Sequence, residues 1–118
     1  VKESFNTGKK MTKDNNNEAF RRTLEQLEEL LDESDADIDY DTVSDILTIE
    51  FENGSKIIIN YQSANGQLWL AARSGGFHYD YDEESDCWKN DRSGADLFDE
   101  LSSLATEQAD EEIVLKLS

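Results

Sequence analysis

The sequence predicts an α+β fold: a two-layer α/β sandwich with two helices packed on one face of a five- to six-stranded antiparallel sheet. Three observations carry that prediction. Apolar residues recur at helical spacing near each end, as Leu24, Leu27, Leu30 and Leu31 and again as Leu97, Leu101 and Leu104. Between them, short segments alternate apolar and polar residues, the period of a half-buried strand. Brief turn signals separate those segments, so successive strands lie beside one another as a meander.

Residues 1–17, VKESFNTGKKMTKDNNN, are polar and aperiodic and read as a mobile leader, with Met11 a candidate natural start. Residues 18–118 read as a single domain. Asp14 to Asn17 are placed to cap a first helix running from about Glu18 to Asp32, with Phe20, Leu24, Leu27 and Leu31 inward. From Asp35 to Asp41 every second residue is Asp, with Ala36, Ile38 and Tyr40 between, a strand pattern with one face or edge anionic. Leu47, Ile49 and Phe51 then alternate with Thr48, Glu50 and Glu52. Asn53-Gly54 signals a hairpin that returns from Ser55 to Gln62. Ser63 to Gly66 is a second turn, after which Leu68 and Leu70 share one face and Trp69 takes the other. Gly75-Gly76 is expected as a third turn, and the acidic loop Asp82 to Asp86 leads into CWKN. The last helix is expected to begin near Ser93, whose hydroxyl with Asp96 resembles a capping box, and Phe98 lies beside its leucine stripe. Ile113, Val114, Leu115 and Leu117 are too apolar for a free end and are expected in the groove between the helices.

Charge narrows the function. The 118 residues hold 28 Asp and Glu against 11 Lys and Arg, a net charge of −17. Lys2, Lys9, Lys10 and Lys13 against Glu3 make the first thirteen residues +3, which leaves −20 on the rest. Such a field repels nucleic acid and anionic membrane and attracts cations and basic protein surfaces, so neither nucleic acid nor membrane is an expected partner. The single Cys87 excludes an intrachain disulfide and suits a reducing compartment. With no apolar run long enough to span a bilayer and no signal-peptide core, a cytoplasmic location is expected. The absence of Pro leaves loops with more entropy to lose on folding, which points to modest stability.

The acidic residues concentrate in EQLEELLDESDADIDYD, residues 25–41, where nine of seventeen positions are Asp or Glu and none is basic. Glu25, Glu28, Glu29, Asp32 and Glu33 follow the helical period and Asp35, Asp37, Asp39 and Asp41 the strand period, so the two runs read as one ledge. Carboxylate oxygens are hard ligands suited to Ca²⁺, Mg²⁺, Mn²⁺ and iron. Alternate strand residues sit about 6.5–7 Å apart, too far for one ion to be caged by three of them. Each site would use one or two carboxylates and keep several waters, giving weak, multiple and poorly selective binding. The ledge fails the EF-hand pattern, because Tyr40 stands at the required Gly and Ile46 at the terminal Glu.

Elsewhere the chain offers little chemistry. Trp69, opposite in direction to Leu68 and Leu70, reads as an exposed interface anchor. Trp88 reads as structural, His78 as a surface residue, and Cys87 beside Asp86 as unreactive. No nucleophile–base pair, phosphate-cradling glycine loop or zinc spacing is present, and a catalytic role is not expected.

FENGSKIIIN (51–60), QLWLA (67–71), GGFHYD (75–80) and W-x-x-DRSG (88–94), together with the acidic first helix, resemble the frataxin family, its bacterial members above all. The match runs from about Ala19 to Asp110 and implies the same two-layer sandwich. It implies weak, surface-exposed binding of iron, Fe²⁺ or Fe³⁺, on an acidic ridge of Glu28, Glu29, Asp32, Glu33, Asp35, Asp37, Asp39 and Asp41, where other divalent or trivalent cations could substitute. It also implies a role in iron–sulfur cluster assembly, through contact with the cysteine desulfurase and the scaffold protein, with Trp69, Asn60, Gln62 and Gln67 on the contacting sheet surface. A monomer is expected in the absence of metal. Tyr61 departs from the basic residue of many members, Ser63-Ala64 from their turn, and the first helix reads short at its start. An iron-storage or ferroxidase protein is the enzymatic alternative, but it would need the buried Glu and Glu-x-x-His pairs of helical di-iron bundles, which this chain lacks. A purely protein-binding acidic module is the other.

Overall fold

The computed structural model describes residues 13–116, with side chains described from Asn16 onward. Helix α1 (Lys13–Glu33) leads into strands β1 (Ile38–Val43), β2 (Ile46–Phe51), β3 (Lys56–Gln62), β4 (Gln67–Ala72), β5 (Gly75–Asp82) and β6 (Cys87–Asn90), and helix α2 (Leu97–Ala109) follows. Among the described residues the strands form one six-stranded antiparallel sheet in chain order, with β1 and β6 as its edges. This is the expected α+β sandwich.

Strand alternation sorts the sheet into two faces. Leu47, Ile49, Phe51, Ile57, Ile59, Leu68, Leu70, Tyr79 and Trp88 point one way and are buried against Phe20, Leu24, Leu27 and Leu31 of α1 and Leu97, Leu101 and Leu104 of α2. Each such side chain contributes roughly 1.5–3 kcal/mol by leaving water, so this single layer of contact holds the fold together. Asp39, Asp41, Thr48, Glu50, Ile58, Asn60, Trp69, Ala71 and His78 take the other face, which is open among the described residues.

Several boundaries differ from expectation. Helix α1 begins at Lys13, so Asp14 to Asn17 lie inside it and do not cap it, and the helix is not short at its start. Tertiary contact outweighs the poor helix propensity of three consecutive Asn: Asn16 Nδ2 donates to Gly66 O at 3.0 Å, fastening the first turns to the β3–β4 turn. The remainder of the expected leader, residues 1–12, lies outside the described residues. Gly75-Gly76 does not make the third turn; Arg73 and Ser74 do, and both glycines belong to β5, where Gly75 pairs with Ala72 and Gly76 with Ala71. The Asn53-Gly54 hairpin forms as expected, with Gly54 N donating to Phe51 O at 2.8 Å. Gly54 adopts φ 88°, a conformation that favours glycine.

Helix α2 is capped by Asp96 instead of Ser93. The Asp96 carboxylate accepts from Phe98 N at 2.9 Å and Asp99 N at 3.3 Å, while Ser93 Oγ accepts from Ala95 N in the preceding turn. A carboxylate at that place also meets the positive end of the helix dipole. The tail runs along α2. Ser102 and Thr106, one helical turn apart, bond both backbone groups of Leu115 and Ile113 at 2.8–3.2 Å. Ile113 and Leu115 are buried as expected, whereas Val114 points outward at 63 % exposure. Leu117 lies outside the described residues.

Candidate functional site

The ledge is built at the corner where α1 ends and the edge strand begins. Asp32 and Glu33 occupy the last turn of α1, and that turn carries no basic residue. Negative charge at the carbonyl end of a helix opposes its dipole, so these acids are retained against local helix stability. Glu28 and Asp32 turn toward β1. Thr42 Oγ1 donates to Glu28 Oε2 at 2.6 Å and Tyr40 Oη donates to Asp32 Oδ1 at 2.7 Å. The bond to Asp32 raises the Tyr40 pKa above its ordinary value, because the carboxylate favours the protonated phenol.

The acidic residues after the helix do not form the single strand face that the sequence suggested. Strand β1 starts only at Ile38, and Asp35 and Asp37 lie in the link from Ser34, whose hydroxyl accepts from Ala36 N at 3.1 Å. Asp39 and Asp41 face the open side of the sheet, away from Glu28 and Asp32, with Asp39 paired in register with Glu50 and Asp41 with Thr48. Ile38, Tyr40 and Thr42 face the helix. The edge strand therefore divides the ledge into a helix side and a sheet side, both reached from the β1 edge. Among the described residues the side chains of Glu29, Glu33, Asp35, Asp37, Asp39 and Asp41 have no hydrogen-bond or ion-pair partner, and no three His, Cys, Asp or Glu side chains converge to hold one ion.

Four residues that sequence reasoning passed over shape this corner. Tyr40 and Thr42 strap the strand to the helix, and Arg21 bridges to Asp45 in the β1–β2 turn at 3.2 Å. Ser44 and Asp45 form that turn with φ 52° and 63°. Arg21, Leu24, Glu25, Glu28, Thr42 and Asp45 enclose a recess of about 170 Å³. The available signal was the alternation itself, since residues between the Asp positions must face the helix.

On the open face, Trp69 is half-buried and stacked on His78, with ring centroids 4.3 Å apart and planes 15° apart. Its Nε1 donates to Gln67 Oε1 at 3.1 Å. Gln67 Nε2 donates in turn to Asp80 at 3.0 Å and Asp91 at 3.2 Å, and Asp91 Oδ2 lies 3.9 Å from His78 Nδ1. Asn60 is the cross-strand neighbour of Trp69, and Gln62, which pairs with Gln67, donates to Asn60 Oδ1 at 2.9 Å. The four expected contact residues thus form one patch, with His78 and Asp91 as members that the sequence did not reveal. Trp88 is buried and donates Nε1 to Thr23 Oγ1 at 2.9 Å. Cys87 directs its thiol to Ser85 O at 3.2 Å.

A meander sheet backed by two helices, with carboxylates crowded at the first edge and a tryptophan on the open face, defines a frataxin-like protein. The family model described as a Frataxin-like domain matches residues 9–111, and the chain belongs to the frataxin family. It is 51 % identical over 88 residues to the iron-sulfur cluster assembly protein CyaY of Pseudomonas fluorescens, covering 75 % of this chain and 80 % of that one. To CyaY of Pseudomonas aeruginosa it is 44 % identical over 89 residues, covering 75 % and 82 %. The solved frataxin of Psychromonas ingrahamii superposes with a TM-score of 0.82 at 36 % identity, over 91 % of this chain and 100 % of that one. A trimeric frataxin from the yeast Saccharomyces cerevisiae, in a ferrous complex, gives a TM-score of 0.61 at 25 % identity over 89 % and 92 %. That trimer lends no support to the expectation of a monomer.

Proposed function

We propose that this protein is a non-catalytic, iron-binding regulator of iron–sulfur cluster assembly, active in the cytoplasm. The observation that carries the reading is the crowding of carboxylates around the α1–β1 corner, with Asp32 and Glu33 set against the helix dipole and the side chains of Glu29, Glu33, Asp35, Asp37, Asp39 and Asp41 without partners among the described residues. Relatives named for iron–sulfur cluster assembly and a neighbour in a ferrous complex support it. Iron is cargo here. It is held weakly by one or two carboxylates at a time from Glu28, Glu29, Asp32, Glu33, Asp35, Asp37, Asp39 and Asp41, with water completing the shell, and other hard cations can replace it. The same charge docks a basic surface of the cysteine desulfurase, while Trp69, Asn60, Gln62 and Gln67 contact the desulfurase or scaffold from the open face.

The test is an NMR titration of the full chain, first with ferrous iron under anaerobic conditions and then with desulfurase. Both additions are expected to shift the ledge amides, and desulfurase also those around Trp69. Iron shifts confined elsewhere would remove the ledge as the metal site. Dioxygen consumption on adding ferrous iron, faster than in protein-free buffer, would replace the regulator with a ferroxidase.

A further inference from the structure

We propose that the open sheet face ends in a corner that docks an acidic protein segment, formed by Lys56, Arg73 and Arg92 around the bare backbone of Gly75 and Gly76. The inference rests on the reading of the open face as a partner surface and adds a second, oppositely charged contact to it. Three observations converge on this corner.

The first is the distribution of ion pairs. Among the described residues Arg21, Arg22, Lys89 and Lys116 each lie within 4.0 Å of a carboxylate, as pairs with Asp45, Asp86, Asp82 and Asp99. Lys56, Arg73 and Arg92 are exposed and have no such pair. Among the described residues, that places the cations without a close ion pair at the end of the sheet where β3 starts and the β4–β5 turn lies, with Lys56 in register with Glu50.

The second is that the fold positions them. Gln108, only 2 % exposed, accepts from Arg73 N at 2.9 Å and donates to Lys56 O at 3.2 Å, so one buried amide sets both residues side by side. Arg92 N donates to Asn90 Oδ1 at 2.8 Å, and Asp91 N donates to His78 O at 2.9 Å, laying the loop after β6 against β5. Gly76, His78 and Arg92 share the wall of a recess of about 350 Å³. The acids in that wall accept hydrogen bonds, Asp91 from Gln67 and Glu100 from Tyr79 and Asn90, and so are directed to donors of their own chain while keeping their charge.

The third is a glycine that its own surroundings do not demand. Gly75, at φ 148°, needs to be glycine, but Gly76 has no positive φ and a Cβ there would meet nothing within 4 Å. Gly76 lies on the open face in the cross-strand pair next to Trp69–His78. A strand glycine in free space fits a position where another backbone approaches closely. Acidic side chains on a segment lying over Gly75–Gly76 would meet the three cations.

The test is an NMR titration of the full chain with a capped oligoglutamate peptide, an oligolysine peptide and inorganic phosphate at matched charge. Oligoglutamate is expected to shift the amides of Lys56, Arg73, Gly75, Gly76 and Arg92, and oligolysine those of the ledge. Lys56→Gln and Arg73→Gln should each weaken the oligoglutamate response about two- to fivefold, the range that exposed ion pairs support. Gly76→Ala should weaken it with no loss in thermal midpoint. Absent or scattered oligoglutamate shifts, or Gly76→Ala binding as the parent does, would overturn the proposal. Equal shifts from phosphate would replace the docked segment with a small-anion site. Failure of the ledge to bind iron or desulfurase leaves these readouts untouched, so the two readings fail separately.

Discussion

Tyr40 Oη donates to Asp32 Oδ1 at 2.7 Å and so ties the edge strand to the last turn of α1. The bond holds the Tyr40 pKa above 10.0. Burial, with the bond to Asp86, pushes Tyr81 up to about 12, and burial with the bond to Glu100 pushes Tyr79 further still. A folded pKa above the unfolded one means that the native state keeps the proton longer. The stabilisation is complete below the unfolded value near pH 10 and is lost as pH rises through the folded values. Denaturation midpoints should therefore fall above about pH 10, with tyrosinate absorbance rising in step. Tyr40→Phe should flatten the first part of that fall; a midpoint level to pH 12 would contradict the assignment.

Asp35, Asp37 and Asp39 offer a separation of stability from binding. Like charges crowded into a short link and the strand start repel one another, though weakly at the water-facing surface. Asp39 also sits directly across from Glu50, a like-charge pair only partly relieved by Lys56 on the other side of Glu50. Asn at the three positions should raise stability at low salt, with the gain fading as salt increases. Iron should stabilise the parent by mass action and the variant much less. A variant less stable than the parent at low salt would reveal native contacts for these carboxylates.

Trp69 is partly committed within its own molecule, through His78 and Gln67. Trp69→Ala should thus cost about 1 kcal/mol of stability, the scale of one aromatic stack. Desulfurase binding should weaken by about 2 kcal/mol or more. Retained binding with a large drop in thermal midpoint would make the residue structural.

The tail is held by two hydroxyls. Deleting residues 112–118 exposes the sites of Ile113 and Leu115, each worth roughly 1.5–3 kcal/mol before ordering entropy is deducted. Ser102→Ala with Thr106→Ala should cost about 1 kcal/mol for each site, since every hydroxyl serves two backbone groups. Unchanged urea midpoints in both variants would show that the tail does not contribute to folding.

The sheet was legible because its signals are local. Leu47, Ile49 and Phe51 alternate strictly, and Asn53-Gly54 fixes where the chain reverses. The errors fall where a distant partner decides. The start of α1 depends on Asn16 reaching Gly66, 50 residues away. The β4–β5 turn moved to Arg73-Ser74, where Gln108 binds Arg73 N, although the glycines carry the stronger turn signal. In the ledge, the identity of the acids was readable, but their direction was not. A link of four residues, Ser34 to Asp37, sets the register of β1, and a shift of one residue would exchange Asp39 with Tyr40 between faces.

Strand β1 is also an edge of the sheet, with no strand paired to its outer side among the described residues. Its outer N–H and C=O groups are a template on which a second copy could add its own edge. Two such rims meeting would bring the Asp39 and Asp41 carboxylates of both copies together, so their mutual repulsion would oppose that pairing. On the proposed reading, cation loading or acidification would weaken that repulsion at the place where cargo would dock. Light scattering should then report self-association that tracks carboxylate neutralisation, and Lys89 with Asp82 at the other rim should be indifferent to it.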